Sequence, residues 1–344
     1  MTMQPKKNVS LAQYSTMRLG GMAKYAQDVH SVDELTDVLN WAKPKSLTVL
    51  MIGGGSNIIW RDEGFNGLLL VNKIMGYELE PAGGNEYELT IGAGENWDNV
   101  VARTVEAGLS GIEALSLIPG TAGATPIQNV GAYGQEIADT LASVIAYDNQ
   151  TAQITEIAGT DCQFGYRTSR FKTADRGRYF ITGLTLRLNK ANPMPPFYPS
   201  LQKYLDKKAI TIYNPKIIRE AVIDIRQTKL PDPNKTANNG SFFCNPTIGT
   251  GQLEEIKAKF PALAFWPAGN NKFKLSAAWL IEQAGFHDYH DSETGIATWP
   301  SQPLVLINEH AQKTADLLKF ASKIISAVQL KFDVTLVQEP LLLP

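Results

Sequence analysis

Cysteine is almost absent from this chain. Its 344 residues hold two, Cys162 and Cys244. They form no Cys-x-x-Cys pair and no zinc-ligand spacing, which argues against a disulfide framework and for a reducing, cytoplasmic setting. No apolar run approaches the roughly 18 residues of a membrane helix. The opening stretch, Met1-Thr2-Met3-Gln4-Pro5-Lys6-Lys7-Asn8, lacks the apolar core of a secretory signal. An excess of one charge is also missing. Thirty-two Lys+Arg stand against 34 Asp+Glu, a net charge of −2. A nucleic-acid surface would show as a basic excess, so neither nucleic acid nor membrane is expected as a partner. Several motifs are absent as well. There is no Gly-Lys-Ser/Thr of a P-loop and no Gly-x-Ser-x-Gly of a hydrolase elbow. Gly92-Ala93-Gly94 begins like a dinucleotide fingerprint, but Trp97 stands where the third glycine belongs. Ile58 breaks the pattern after Gly53-Gly54-Gly55 in the same way.

What the chain does have is small residues in two places. Ile118 to Gly134 reads IPGTAGATPIQNVGAYG, with four glycines, three alanines and two prolines in seventeen residues. Such a run cannot form a regular helix or strand, because glycine weakens both and proline removes a donor. It lets backbone come close to something large and offers N–H groups to anionic oxygens. The second place is Leu47–Ile52, an apolar strand, running into Gly53-Gly54-Gly55-Ser56-Asn57. Two loops of this kind suit the extended pyrophosphate of a large dinucleotide.

Around these loops the pattern alternates helix and strand. Ser31-Val32-Asp33-Glu34 has capping-box spacing ahead of Leu35, Val38, Leu39 and Ala42. With the strand at 47–52 and apolar residues 68–71, this predicts a small α/β unit ending near 72. A strand at 87–91, a helix from Trp97 to Gly108, and strands near 141–149 and 178–188 predict a second unit. Asn214-Pro215 starts a helix, which Pro231-Asp232-Pro233 stops at a domain joint. Helices near 252–259, 276–284 and 311–330 follow, with strands at 304–307 and 334–337.

The polar candidates each have a bland alternative. Arg167, in Phe164-Gly165-Tyr166-Arg167-Thr168, can grip a carboxylate with its planar fork or serve only an internal ion pair. Lys229 reads as a solvated charge, raised in interest by its place at the joint. Ser241, between Gly240 and Phe242-Phe243, is either a proton donor in a dry pocket or a turn serine. Glu339 lies near the end of the chain, where carboxylates are usually bland. His287 and His290, with Asp288 and Asp291, have ligand-like spacing, but no third cluster supports a metal, and none is expected.

Together the segments resemble one family, the UDP-N-acetylenolpyruvoylglucosamine reductases. The resemblance rests on Gly53–Asn57, Gly92–Trp97, Ile118–Gly134, Phe164–Arg167, Thr228–Pro233, Gly240–Phe243, Asn245-Pro246, Lys274–Ile281 and Leu304–Asn308, in that order, from about residue 14 to 340. It implies an α+β architecture: a flavin fold of the vanillyl-alcohol-oxidase type in two α/β subdomains (1–72 and 73–230), a substrate domain (231–332), and a final strand (333–344) returning to the flavin part. It implies noncovalent FAD against Gly53, Gly54, Gly55, Ser56, Asn57, Pro119, Gly120, Thr121, Gly123, Ala124, Gln128, Asn129 and Gly131. Neither loop holds a histidine or cysteine to tether the flavin. NADPH is the implied hydride donor, and a nucleotide sugar the substrate of a cytoplasmic monomer. Arg167, Ser241 and Glu339 match catalytic positions. Tyr166, Lys229, Asn245 and Lys274 match substrate-binding ones, and Tyr198 matches a loop tyrosine of the longer subtype.

Two departures stand out. Glu339-Pro340-Leu341 has leucine where the family, which usually ends Leu-Glu-Pro-Glu-Val-Arg, has arginine, and Trp299 occupies a place that is often histidine. Another flavoenzyme of the superfamily, oxidising a sugar or lactone, and a non-catalytic nucleotide-sugar binder remain as alternatives.

Overall fold

The computed structural model describes residues 4–344; Met1–Met3, the first residues of the expected leading segment, lie outside the described residues. By contacts the chain divides into two units. One holds the described residues up to Val9, Ala23–Gly54 and Asn66–Arg226; the other holds Ser10–Met22, Gly55–Phe65 and Gln227–Pro344.

In the first unit, Ser31 accepts the Glu34 N–H at 3.1 Å, and Glu34 reaches back to the His30 N–H at 2.8 Å. These bonds satisfy the donors that every helix start leaves open. The helix they open, Val32–Ala42, buries Leu35, Val38, Leu39 and Ala42. Its apolar face packs with Leu68 and Leu70 of the strand Phe65–Asn72. That strand pairs in parallel with Val49–Ile52, in a sheet ordered Lys6–Ser10, Met22–Val29, Phe65–Asn72, Val49–Ile52.

A second, five-stranded sheet runs Gln153–Ala158, Leu141–Asp148, Tyr179–Asn189, Glu86–Gly92, Tyr77–Gly83, antiparallel throughout. Leu184, Leu186 and Leu188 are buried while Thr185 and Arg187 are not, the alternation of a sheet with one covered face. Its cover is the helix Trp97–Glu106, capped by Asn96, whose Trp97, Val100 and Val101 enter the same core. Helices Pro199–Lys207 and Pro215–Lys229 add a small cluster through Leu201, Leu205, Ile218 and Val222. Asn214 caps the second of them, accepting the Ile217 N–H at 2.9 Å.

The second unit is built on an antiparallel sheet ordered Ala237–Ser241, Gln302–Asn308, Ile296–Trp299, His290–Asp291. Leu304 and Leu306 face one large core with the helices Ala277–Gln283 and Thr314–Phe332, while Val305 and Ile307 face the other side. A three-stranded sheet, Thr247–Gly249, Lys272–Leu275, Phe265–Pro267, lies in the same unit.

The last strand differs from expectation. Residues 334–337 form no strand; the strand is Leu341–Leu343, pairing in parallel with Ile58–Trp60. Val334 and Leu336 are buried and Val337 is exposed, so the alternation that mimics a strand comes from an extended segment packed on the core. The helix Pro199–Lys207 and the strands Tyr77–Gly83 and Gln153–Ala158 lie outside every sequence expectation.

Candidate active site

The glycines of the two loops are there because the loops press against each other. A Cβ on Gly54 would lie 3.0 Å from the Gly120 Cα, and one on Gly53 only 2.0 Å from the Thr121 Oγ1. Loop 118–134 is in turn fastened to the segment before the helix Trp97–Glu106. Ala122 donates to the Glu95 carbonyl and Gly123 to that of Ala93, both at 2.9 Å, and the Trp97 N–H donates to Gly120 at 3.1 Å. Within this contact the Thr121 hydroxyl is buried and has no hydrogen-bond partner among the described residues. A buried polar atom left without a partner is costly, so a cradle of small residues with an orphan hydroxyl fits a polar ligand such as a dinucleotide.

Asn129 ties the loop to the segments that follow it. Its Nδ2 donates to Glu136 Oε2 at 2.7 Å and to the Gly165 carbonyl at 3.3 Å, and its Oδ1 accepts from Ala138 N at 3.1 Å. Pro119, Ala124 and Gln128 lie on the same loop, the 3-10 turn Ala122–Ile127 following Thr121. The bond to Gly165 ties the loop to the segment that holds Tyr166 and Arg167. Arg167 has a left-handed backbone, φ 55°, and its Nη2 donates to the Gly131 carbonyl at 2.8 Å. Its guanidinium lies 5.3 Å from the Tyr166 ring, which is exposed. Arg167, Tyr166, Asn129 and Gly131 are thus brought together.

Tyr198, exposed at the start of the helix Pro199–Lys207, meets Tyr133 edge-on with ring centroids 6.0 Å apart. Burial raises the Tyr133 hydroxyl above its ordinary value, against the pull of Arg226. Nearby, Asp98 accepts from Arg219 at 2.6 and 3.1 Å and from the Leu117 N–H at 2.5 Å. Burial opposes the Asp98 charge, but these donors outweigh it and hold the carboxyl below its usual range.

The second unit gathers another set. Glu339 N donates to the Phe242 carbonyl at 2.9 Å, and Cys244 N to that of Val337 at 2.8 Å. The segment 337–339 therefore runs antiparallel beside 242–244, which places Glu339 opposite Phe242, the residue after Ser241. The Cys244 thiol lies 4.0 Å from Glu339 Oε2. Leu341 N donates to the Asn57 carbonyl at 2.9 Å, which joins Ser56 and Asn57 to the same place. Gly55 completes this half of the first loop, its backbone close against the Tyr14 carbonyl. Lys229 ends its helix exposed. Asn245 spends its Oδ1 on the N–H of Ala277, at the start of the helix Ala277–Gln283, at 2.9 Å. Lys274 lies on a strand, opposite Thr247 and Trp266. His290 pairs through Nδ1 with Glu309 at 2.8 Å. Among the described residues no cluster of His, Cys, Asp and Glu has the makings of a metal site.

Two asparagines of this unit escape the sequence reading. Asn238 and Asn239 are both buried, and the Asn239 Nδ2 contacts the carbonyls of Ser56 and Ile58 at 3.3 and 3.2 Å. The doublet before Gly240-Ser241 is a turn signal, and nothing in it shows that both amides point inward.

Two families of known proteins match different parts of the chain. Residues 24–156 match the family described as FAD binding domain. Residues 232–343 match that described as UDP-N-acetylenolpyruvoylglucosamine reductase, C-terminal domain. The UDP-N-acetylenolpyruvoylglucosamine reductase of Alcanivorax borkumensis is 40% identical over 337 residues, covering 98% of this chain and 96% of its own. The chain belongs to that family. The enzyme of the same name from Ralstonia nicotianae is 37% identical, with 97% of each chain covered. Among solved structures, the UDP-N-acetylenolpyruvylglucosamine reductase of Thermus caldophilus matches with a TM-score of 0.68 at 21% identity, covering 99% of this chain and all of its own. That likeness bears on the fold, and it extends over both units. The family's flavin fold and its separate C-terminal domain are the α+β architecture that the resemblance implied.

Proposed function

We propose that this chain is the reductase that converts the enolpyruvyl group of UDP-N-acetylglucosamine enolpyruvate into the lactyl ether of UDP-N-acetylmuramate, a peptidoglycan precursor, with FAD and NADPH. The observation that carries this is the match to the reductase's C-terminal domain over residues 232–343, a span that contains both Ser241 and Glu339. When bound, FAD supplies hydride chemistry, between NADPH and the methylene carbon of the enolpyruvyl group. The residues fit that group: two glycine loops in backbone contact, with the orphan Thr121 hydroxyl between them.

The side chains then divide the remaining work. Gly53 to Asn57, Pro119 to Thr121, Gly123, Ala124, Gln128, Asn129 and Gly131 hold the dinucleotide. Arg167 is the fixed cation that offsets the negative charge developing beside the substrate carboxylate. Ser241 gives the proton that completes the lactyl ether, and Glu339 acts with Arg167 in the same step. A serine hydroxyl is a weak acid in water, but a developing carbanion is basic enough to take its proton. Tyr166, Tyr198, Lys229, Asn245 and Lys274 hold the nucleotide sugar. Residues 1–230 form the flavin part and 231–332 the substrate part of a cytoplasmic monomer that binds neither nucleic acid nor membrane.

The test is the visible spectrum of the purified protein. It should be that of a bound flavin, bleach under anaerobic NADPH, and recover on addition of enolpyruvyl-UDP-N-acetylglucosamine. A protein that bleaches but ignores this substrate, and recovers only with oxygen, would favour the oxidase alternative. A colourless protein that gains no flavin spectrum with added FAD would end the proposal.

A further inference from the structure

The strand that carries Ser241 is not regular. Asn238 stands opposite Ile307 and Ser241 opposite Val305, so three steps on one strand match two on the other. One extra residue is present, which is a β-bulge. Its consequence is a change of face. In an unbroken ladder Gly240 would oppose Val305, and Ser241 would oppose Leu304 on the side of the large core. With the bulge, Phe242 takes the Leu304 position, donating its N–H to that carbonyl at 2.8 Å, and enters the large core. Ser241 moves to the face of Val305 and Ile307. Leu230, the neighbour of Lys229, packs on that same face, with Trp299.

One side chain fastens both ends of this arrangement. The carboxamide of Asn238, 3% exposed, accepts the Gly240 N–H on Oδ1 at 2.8 Å, closing the bulge where Gly240 turns to φ 68°. The Nδ2 of the same amide donates to the Thr236 carbonyl at 2.8 Å, with a longer 3.4 Å contact to that of Pro231. Those carbonyls belong to the loop that leads from Lys229. The Asn238 backbone is anchored independently, its N–H on Thr16 at 3.1 Å. Aspartate could keep only the acceptor and alanine neither function; an amide supplies the donor and the acceptor that the two sides require.

We propose that Asn238 is a positioning residue that sets the face on which Ser241 is presented and holds the Lys229 loop in register with it. The proposal rests on Ser241 as proton donor and Lys229 as substrate ligand. Asn238 touches neither reacting group and acts through the bulge and the loop.

The test uses FAD-loaded protein in anaerobic stopped flow, with the two half-reactions followed separately, and calorimetric titration of substrate into the oxidised protein. Asn238→Ala should bind FAD and accept hydride from NADPH at the normal rate. Reoxidation by substrate should slow by roughly 10- to 100-fold, part of what a positioned acid contributes, and substrate should bind more weakly. The Asn238→Ala/Ser241→Ala double variant should be hardly slower than Ser241→Ala alone, because the serine is what the amide positions. Independent, multiplying losses would overturn the proposal, as would normal reoxidation in Asn238→Ala. A normal rate in Ser241→Ala would instead overturn the proton-donor reading on which the proposal stands. Should Asn238→Ala fail to hold FAD, Gly240→Ala decides. A Cβ there meets nothing within 4 Å, so it strains only the left-handed turn and leaves the amide in place. It should slow reoxidation without changing hydride uptake, and normal reoxidation in this variant would refute the role of the bulge.

Discussion

Glu339 and Phe242 are joined by a backbone hydrogen bond of 2.9 Å, from the glutamate N–H to the phenylalanine carbonyl. A residue five positions from the last is thereby held opposite the one that follows Ser241, in a segment whose next residue but one bonds Asn57. Glu339→Gln keeps the shape and removes the charge. It should leave FAD binding and reduction by NADPH intact and slow reoxidation by substrate by roughly 10- to 100-fold, a share of the range for a group acting on proton transfer. Unchanged turnover would leave this segment as packing only. Truncation after Val337 is a poor substitute, because it also removes the strand Leu341–Leu343 and the buried Leu343.

Ser241→Ala separates the half-reactions. Hydride uptake from NADPH needs no protein acid and should proceed normally. Reoxidation by substrate should fall by roughly 10²–10⁴. Equal slowing of both steps in stopped-flow traces would count against a proton donor.

Arg167→Lys keeps the positive charge but loses the planar fork, one arm of which donates to the Gly131 carbonyl. The expected loss in the reoxidation step is roughly 10²–10³, by comparison with removing one donor from an oxyanion site. Turnover near normal would reassign Arg167 to bracing the loop.

Asp98 gives a prediction in pH. Its carboxyl is held below the ordinary value in the folded state, since the Arg219 and Leu117 donors outweigh the cost of burial. Its contribution is therefore present above the unfolded value, near pH 4, and is lost as pH falls through the lower folded value. Asp98→Asn should be less stable than wild type by about 1.5–3 kcal/mol at pH 7, the range for hydrogen bonds to charged groups. The gap should close in acid. Urea midpoints at pH 7 and near pH 3 measure it, and a gap independent of pH would contradict the assignment.

The glycine loops were legible because small residues clustered after an apolar strand have few other uses, and Gly53 and Gly54 do lie against Gly120 and Thr121. Helix starts were legible where a cap was explicit, as at Ser31 and Asn214. The helix Pro199–Lys207 was not, because its run of polar residues buries only Leu201 and Leu205. The last strand was misplaced because a buried extended segment and a strand share one alternation, and only pairing separates them. The part played by Asn238 was invisible for a different reason. It depends on a bulge, and a bulge is a relation between two strands rather than a property of either.

The parallel pairing of Leu341–Leu343 with Ile58–Trp60 has a consequence for how the chain is made. The second unit takes residues 10–22 and 55–65 from the start of the chain and closes them with the end. Synthesis runs from the N-terminus at about 5–20 residues per second. The strand at 58–60 therefore has no partner strand until residues 341–343 have been made. Contacts so distant in sequence are slow to form, so the first unit can fold during translation before the strand that completes the second has been made.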